Sequence, residues 1–202
     1  MRIALIVEGK TETAFLPALR SYLTRTLAGQ MPTLKAIPQG GRVPKEDKLK
    51  RLVENLLKDC DAVIALTDVY TNKNPNQRDF TDAADAKNKM RLWVGDNPNF
   101  YPHAAQYDFE AWLLPYWPAL QTLAKHNRNM PGGRPETVNH DKSPAYHIAE
   151  LFESGKSRSY SKTRDAARIL SENDLSVAVS QCPELKSLIN TILTLCGSAA
   201  LD

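Results

Sequence analysis

The chain has 202 residues, 42% of them hydrophobic and 24% charged, a composition that excludes a disordered chain and suffices for one domain with a real core. A formal net charge of +3 is too small to make the whole surface a polyanion binder, so nucleic-acid contact would need a local patch. Cys60, Cys182 and Cys196 fit neither a disulfide framework nor a zinc site, no leader pattern opens the chain, and no apolar run approaches the ~18–20 residues of a membrane span. A soluble protein of a reducing cytoplasm, without membrane contact, is expected.

Residues 2–7 are a continuous apolar run, the mark of a strand buried on both faces as in a parallel sheet. The run stops at Glu8 and Gly9. Phe15, Leu19, Leu23 and Leu27 then recur every four residues, which predicts a helix with Thr11 as N-cap and Pro17 tolerated near its start. A second strand is expected over Thr33–Pro38, followed by the turn-rich "QGGRVPKED", where Pro44 marks a helix start. Leu49, Leu52, Val53, Leu56 and Leu57 form an amphipathic stripe. The third strand, Ala62–Thr67, ends at another carboxylate, Asp68. This β-α-β-α-β order with right-handed crossovers predicts an open, mostly parallel α/β sheet flanked by helices, with ligands beyond the carboxyl ends of its strands.

A polar loop, "VYTNKNPNQRDF", follows Asp68, and a helix is expected over Asp79–Val94. A weaker fourth strand in "NFYPHAAQ" runs into Asp108 and Glu110. The segment "DFEAWLLPYW" would pack Phe109, Trp112 and Leu113 inward while holding Glu110 at the crevice. Residues 127–144 read as loop, and His147–Phe152, Lys162–Leu170 and Leu185–Leu195 as helices. The expected organisation is an α/β core over 1–125 and a loop and mainly helical extension over 126–202, packed on the core as one structural unit.

Glu8, Asp68 and Glu110, with Glu12 and Asp108 nearby, would gather several negative charges in one crevice. Unpaired, they repel and raise each other's pKa. An all-oxygen set without His or Cys suits Mg²⁺ or Mn²⁺, and such sites stabilise charge in phosphoryl transfer. The plainer reading ends each strand in solvent, with Glu12 favouring the dipole of the helix it opens. The basic run "GKSRSYSKTR" (155–164) carries Lys156, Arg158, Lys162 and Arg164 with no acidic residue between. Functionally it would grip phosphates while Tyr160 stacks on a base, with Lys10 beside the first carboxylate a further contact; the alternative is a solvated loop entering a helix. His103, His126, His140 and His147 lack metal-ligand spacing and read as surface or packing residues, and Trp93, Trp112 and Trp117 as core.

"VEGKTE" on the first strand resembles the glutamate motif of the Toprim domain, and "ALTDVY" sits where such domains carry an Asp-x-Asp strand. The wider pattern, "DFEAWL", "RPETVN", "YSKT" and a late "CPEL", is similar to small stand-alone bacterial Toprim-like proteins of unknown function, related to overcoming-lysogenization-defect (OLD) nucleases, and covers residues 2–195. The resemblance implies a Toprim/Rossmann-like fold, Glu8 as metal ligand or acid/base, Asp68 as first metal-binding aspartate, and Lys162 as a catalytic residue. Tyr70 occupies the second aspartate position, so Glu110 or Asp108 would complete the site. About 200 residues without Cys/His spacing leave no room for a topoisomerase gate or a primase zinc module. A metal-dependent nuclease acting on DNA or RNA remains, with an ATPase partner in antiviral defence implied by analogy. The alternative is a non-catalytic binding or regulatory subunit, which Tyr70 favours. No GxxxxGK[ST] loop makes the chain itself an ATPase, and without GxGxxG after strand one a dinucleotide binder is disfavoured.

Overall fold

The computed structural model describes residues 1–27, 29–70, 78–156 and 158–201. The middle of the polar loop expected after Asp68, and Ser157 of the basic run, lie outside the described residues.

Four strands, β1 (Arg2–Val7), β2 (Thr33–Pro38), β3 (Ala62–Asp68) and β4 (Phe100–Ala105), pair in parallel in the order β2-β1-β3-β4. Successive side chains alternate between faces. Ile3, Leu5, Val7, Ala62, Ile64 and Leu66 enter one apolar cluster, while Ala4, Ile6, Val63 and Ala65 enter the other. Both faces are covered, which is why β1 and β3 read as unbroken apolar runs. Helix α1 (Lys10–Thr26) lies on the first face through Phe15, Leu19 and Leu23; α2 (Glu46–Leu56) and α3 (Ala83–Val94) lie on the second through Leu49, Val53, Met90 and Val94.

After β4 the chain returns to the first face. A 3-10 helix (Phe109–Tyr116) leads into α4 (Trp117–Ala124), a 3-10 turn (Pro135–Thr137), α5 (Pro144–Gly155), α6 (Lys162–Glu172), α7 (Leu175–Gln181) and α8 (Pro183–Leu195). The fold is thus α/β with a mostly helical C-terminal part, as the sequence predicts. Apolar residues of these helices join β1, β3 and α1 in one continuous cluster. The largest of its wholly buried side chains are Trp112, Phe109 and Phe152, each burial stabilising by roughly 2–3 kcal/mol. Where α5 ends, a Cβ on Gly155 would stand 1.8 Å from the Ala124 carbonyl oxygen; only glycine admits that approach.

The structure differs from the sequence reading at several boundaries. Helix α1 is capped at Gly9 rather than Thr11, because the Glu12 carboxylate reaches back to the Gly9 N–H (2.9 Å), the return half of a capping box. The helix expected from Asp79 begins at Ala83, where the Asp82 side chain accepts from the Asp85 N–H (2.8 Å). Phe80 lies ahead of it, against Trp93. The helical character of Phe109–Ala124 and of Leu175–Gln181 is absent from the reading. The former is apolar on almost every side and offers no periodicity; the latter spans seven residues, too few for a stripe.

Candidate functional site

Parallel pairing aligns the carboxyl ends of β1, β3 and β4 at one edge of the sheet. Glu8 follows β1, Asp68 ends β3, and Asp108 and Glu110 follow β4. The Glu8 side chain turns along β3: its Oε1 accepts from the Thr67 hydroxyl (2.5 Å) and the Asp68 N–H (3.0 Å). Burial pushes the Glu8 carboxyl up to about 7, against those two hydrogen bonds, with the Glu12 charge adding to the rise and the Arg42 guanidinium opposing it. Asp68 is pushed well above the carboxylate range by burial and then by Glu8, Glu12, Asp108 and Glu110. Asp108 rises to about 7 through burial and Glu110, although Lys162, the Ser143 hydroxyl and the Ala145 N–H (3.2 and 3.3 Å) favour its charge. Glu12 is raised by burial, and its capping bond to Gly9 pulls the other way. The five carboxylates therefore act on one another, as strand ends left in solvent would not.

Among the described residues one ammonium group enters this cluster. Lys162, the first residue of α6, donates to Glu110 Oε2 (3.0 Å), while the Tyr160 hydroxyl meets Oε1 (3.4 Å). Glu110 itself is wholly buried. Burial works against the Lys162 charge, but Glu110, Asp108 and Asp68 outweigh it and hold the group protonated far above neutral pH. Burial and the Glu110 charge likewise push Tyr160 up. Its ring packs on Phe152, centroids 5.4 Å apart.

The rest of the basic run has a different setting. Arg158 and Arg164 both pair with Asp165, at 2.6 and 3.2 Å, and the Arg158 guanidinium lies over the Phe152 ring. Asp165 is buried and also accepts from the Ser161 N–H. It stands one residue past the run, so the run looked free of acids. Lys156 is exposed and closes α5 in a left-handed conformation (φ 52°), and Lys10 is exposed at the start of α1. The structure thus gathers Glu8, Glu12, Asp68, Asp108, Glu110, Tyr160 and Lys162 in the crevice. Lys156, Arg158 and Arg164 lie on the α5–α6 connection, and Lys10 on the α1 rim.

Tyr70, at the position where the resemblance expects a second aspartate, packs against Tyr107 (5.1 Å between centroids) with the Arg78 guanidinium 3.4 Å above its ring. Glu136, in the "RPETVN" segment, makes a long-range tie: it accepts from Trp112 Nε1 (2.9 Å) and from the Glu184 N–H at the start of α8 (2.9 Å). Thr67, Arg42, Ser143 and Asp165 act on the crevice or its flank and escaped the sequence reading. Only the glycine pair before Arg42 offered a signal.

Among the described residues no three His, Cys, Asp or Glu side chains form a ready-made cage. What the crevice offers is a crowd of oxygens whose charge burial and mutual repulsion disfavour. That fits a cation held by one or two carboxylates and several of its own waters, the habit of Mg²⁺. Glu8, Asp68 and Asp108 are the candidates for it; Glu110 carries the Lys162 ion pair and Glu12 caps its helix. No described helix is long and apolar enough to cross a membrane.

The profile of the family described as Domain of unknown function (DUF4276) matches residues 7–193, and the chain belongs to that family. No curated protein sequence matches it. Among solved structures it is similar to the C-terminal region of the Burkholderia pseudomallei OLD protein, at 13% identity and a TM-score of 0.54, covering 96% of this chain and 98% of that one. The C-terminal region of the Xanthomonas campestris pv. campestris OLD protein matches at 15% identity and a TM-score of 0.52, with 96% of each chain covered. At such identities the likeness is one of fold.

Proposed function

We propose that this DUF4276 protein hydrolyses phosphodiester bonds of nucleic acid in the manner of a Toprim nuclease, using the carboxylate crevice with Mg²⁺ or Mn²⁺ as cofactor. The observation that carries the reading is the convergence of Glu8, Asp68 and Asp108, each raised by burial and by a neighbouring carboxylate, around one protonated lysine among the described residues. A folded protein keeps such a repulsive cluster where ligand binding relieves it. Asp68 and Asp108 would hold the metal with Glu8 beside them, and it would supply charge neutralisation at the scissile phosphate and an activated water.

The protein's own groups account for the rest. Glu8, with a pKa brought to about 7, is suited to accept or return a proton near neutral pH. Thr67 and the Asp68 N–H fix its orientation. Lys162, kept charged by the carboxylates around it, would neutralise charge developing on the phosphate oxygens, and Glu110 and Tyr160 position its ammonium. The fold likeness to the OLD C-terminal regions supports a nuclease-related reading, and with it an ATPase partner in antiviral defence within a reducing cytoplasm. The substrate is DNA or RNA.

A second reading, a non-catalytic binding subunit, is favoured by Tyr70, whose ring is packed away between Tyr107 and Arg78. Incubating the protein with labelled single- and double-stranded DNA and RNA, with Mg²⁺, Mn²⁺ or EDTA, separates the two. Cleavage that needs metal and is lost in Asp68→Asn supports the nuclease; tight binding without cleavage under every metal supports the subunit.

A further inference from the structure

On the β2 side of the crevice, the loop from β2 to α2 runs alongside Glu8. The Gln39 N–H donates to the Val7 carbonyl (2.9 Å) and the Gly41 N–H to the Glu8 carbonyl (2.7 Å). Gly40 and Gly41 take φ of 74° and 135°, a turn that residues with side chains resist, and it brings Arg42 to the rim. From there basic residues recur at every third position: Arg42, Lys45, Lys48 and Arg51, all exposed. They line one open groove of about 490 Å³, in which Glu46 and Asp47 are the acidic residues among the described lining.

Leu49 and Val53 fasten α2 to the sheet, so the basic residues are held on a fixed element. Along α2 the step from Lys48 to Arg51 advances ~4.5 Å, while Arg42 and Lys45 precede the helix on the loop tied to Glu8, so the cations follow the chain along one groove instead of converging from separate elements. Lys45 pairs with Asp79, whereas among the described residues Arg42, Lys48 and Arg51 form no carboxylate ion pair. A single phosphate would be satisfied by one or two clustered cations. A row suits a chain of phosphates.

We infer that the β2–α2 loop and the first turns of α2 form a rail along which the phosphodiester backbone of a nucleic-acid strand leaves the crevice, gripped by Arg42, Lys48 and Arg51. The inference rests on the proposed function for what enters the crevice, and it names the strand's path beyond it. Backbone contacts carry no base identity, so the rail serves DNA and RNA alike.

The test is fluorescence anisotropy with a 30-nucleotide single-stranded DNA and the RNA of the same sequence, in EDTA so that nothing is cut, over a KCl series. Arg42→Ala/Lys48→Ala/Arg51→Ala should flatten the slope of log K against log salt by about 2, at ~0.7 per lost contact; Arg42→Ala alone should flatten it by about 0.7. A control, Lys58→Ala/Arg91→Ala, should keep the wild-type slope. An effect on both strands, or on the natural one alone, supports the rail and identifies the source. An unchanged slope in the triple variant, an equal flattening in the control, or no binding of either strand by the wild type overturns it. Because binding is read without metal, a protein that binds along this rail but never cleaves refutes the nuclease and leaves the rail standing.

Discussion

Asp165 and the Glu8–Asp68–Asp108 crevice are both buried acidic sites, yet their surroundings drive them in opposite directions. At Asp165 burial would raise the pKa, but Arg158, the Ser161 N–H and Arg164 together pull it below the usual carboxylate range. In the crevice burial wins, and neighbouring carboxylates add to it. A buried charge with its partners built in is a structural tie. One whose neighbours share its sign is held at a cost in stability, and ligand binding is the usual means of relief.

The largest expected effect is on activity. Asp68→Asn should lower metal-dependent cleavage by about 10³-fold or more, Glu110→Gln should lower it steeply through the released Lys162, and the double variant should lose little beyond the worse single one, as members of one unit do. Asp165→Asn should leave cleavage per folded molecule near wild type. Comparable losses at Asp165 and Asp68 would erase the distinction between the two sites.

Next in size is stability at Asp165. Replacing it by alanine leaves Arg158 and the Ser161 N–H without their acceptor, and should cost about 3 kcal/mol in denaturant unfolding. Asp108→Asn should cost far less or stabilise the apo protein. A matched loss in both would mean that the crevice is as well compensated as Asp165.

A smaller effect is expected in the pH dependence of the apo protein. Glu8 folds with its pKa raised from 4.5 to about 7, and Asp108 from 3.8 to about 7. A raised folded pKa contributes stability that is complete below the unfolded value and lost as pH rises through the folded one. Apo stability should therefore fall between about pH 4.5 and 8, by roughly 1–3 kcal/mol for the coupled set. In Asp165 the shift is downward, so its contribution is present above the unfolded pKa and is lost only as acid takes pH below it. Urea melts of wild type and Glu8→Gln at pH 5, 6, 7 and 8 check this. A wild-type curve flat over that range, or rising, would contradict it.

The sheet and the crevice were legible because β1 and β3 are short apolar runs that stop at carboxylates, Glu8 and Asp68, and the chain after β4 runs into Asp108 and Glu110. Parallel pairing does the rest, since it brings strand ends together whatever the intervening sequence. The fate of the basic run was not legible. Its neutralisation depends on Asp165, one residue beyond it, and on Glu110, fifty-two residues before Lys162. Charge runs carry no information about partners that tertiary packing supplies. The β2–α2 rail escaped notice for the converse reason: Glu46 and Asp47 interrupt it in sequence, while the loop and helix spacing group Arg42, Lys45, Lys48 and Arg51 in space. The 3-10 helix Phe109–Tyr116 was invisible to periodicity because seven of its eight residues are buried.

The central claim, that the crevice is a ligand-relieved cluster and not a set of structural carboxylates, is tested most directly by thermal melting of wild type and Glu8→Gln at pH 8, with EDTA and then with Mg²⁺ or Mn²⁺. Glutamine keeps a carbonyl oxygen for the bonds from Thr67 and the Asp68 N–H and removes only the charge. In EDTA the variant should melt at the wild-type temperature or above it. Metal should stabilise the wild type by about 2.7 kcal/mol at a hundredfold excess over Kd, and the variant much less. A variant that melts several degrees lower in EDTA, with neither protein shifted by metal, would make Glu8 a structural hydrogen-bonding residue and would contradict the account.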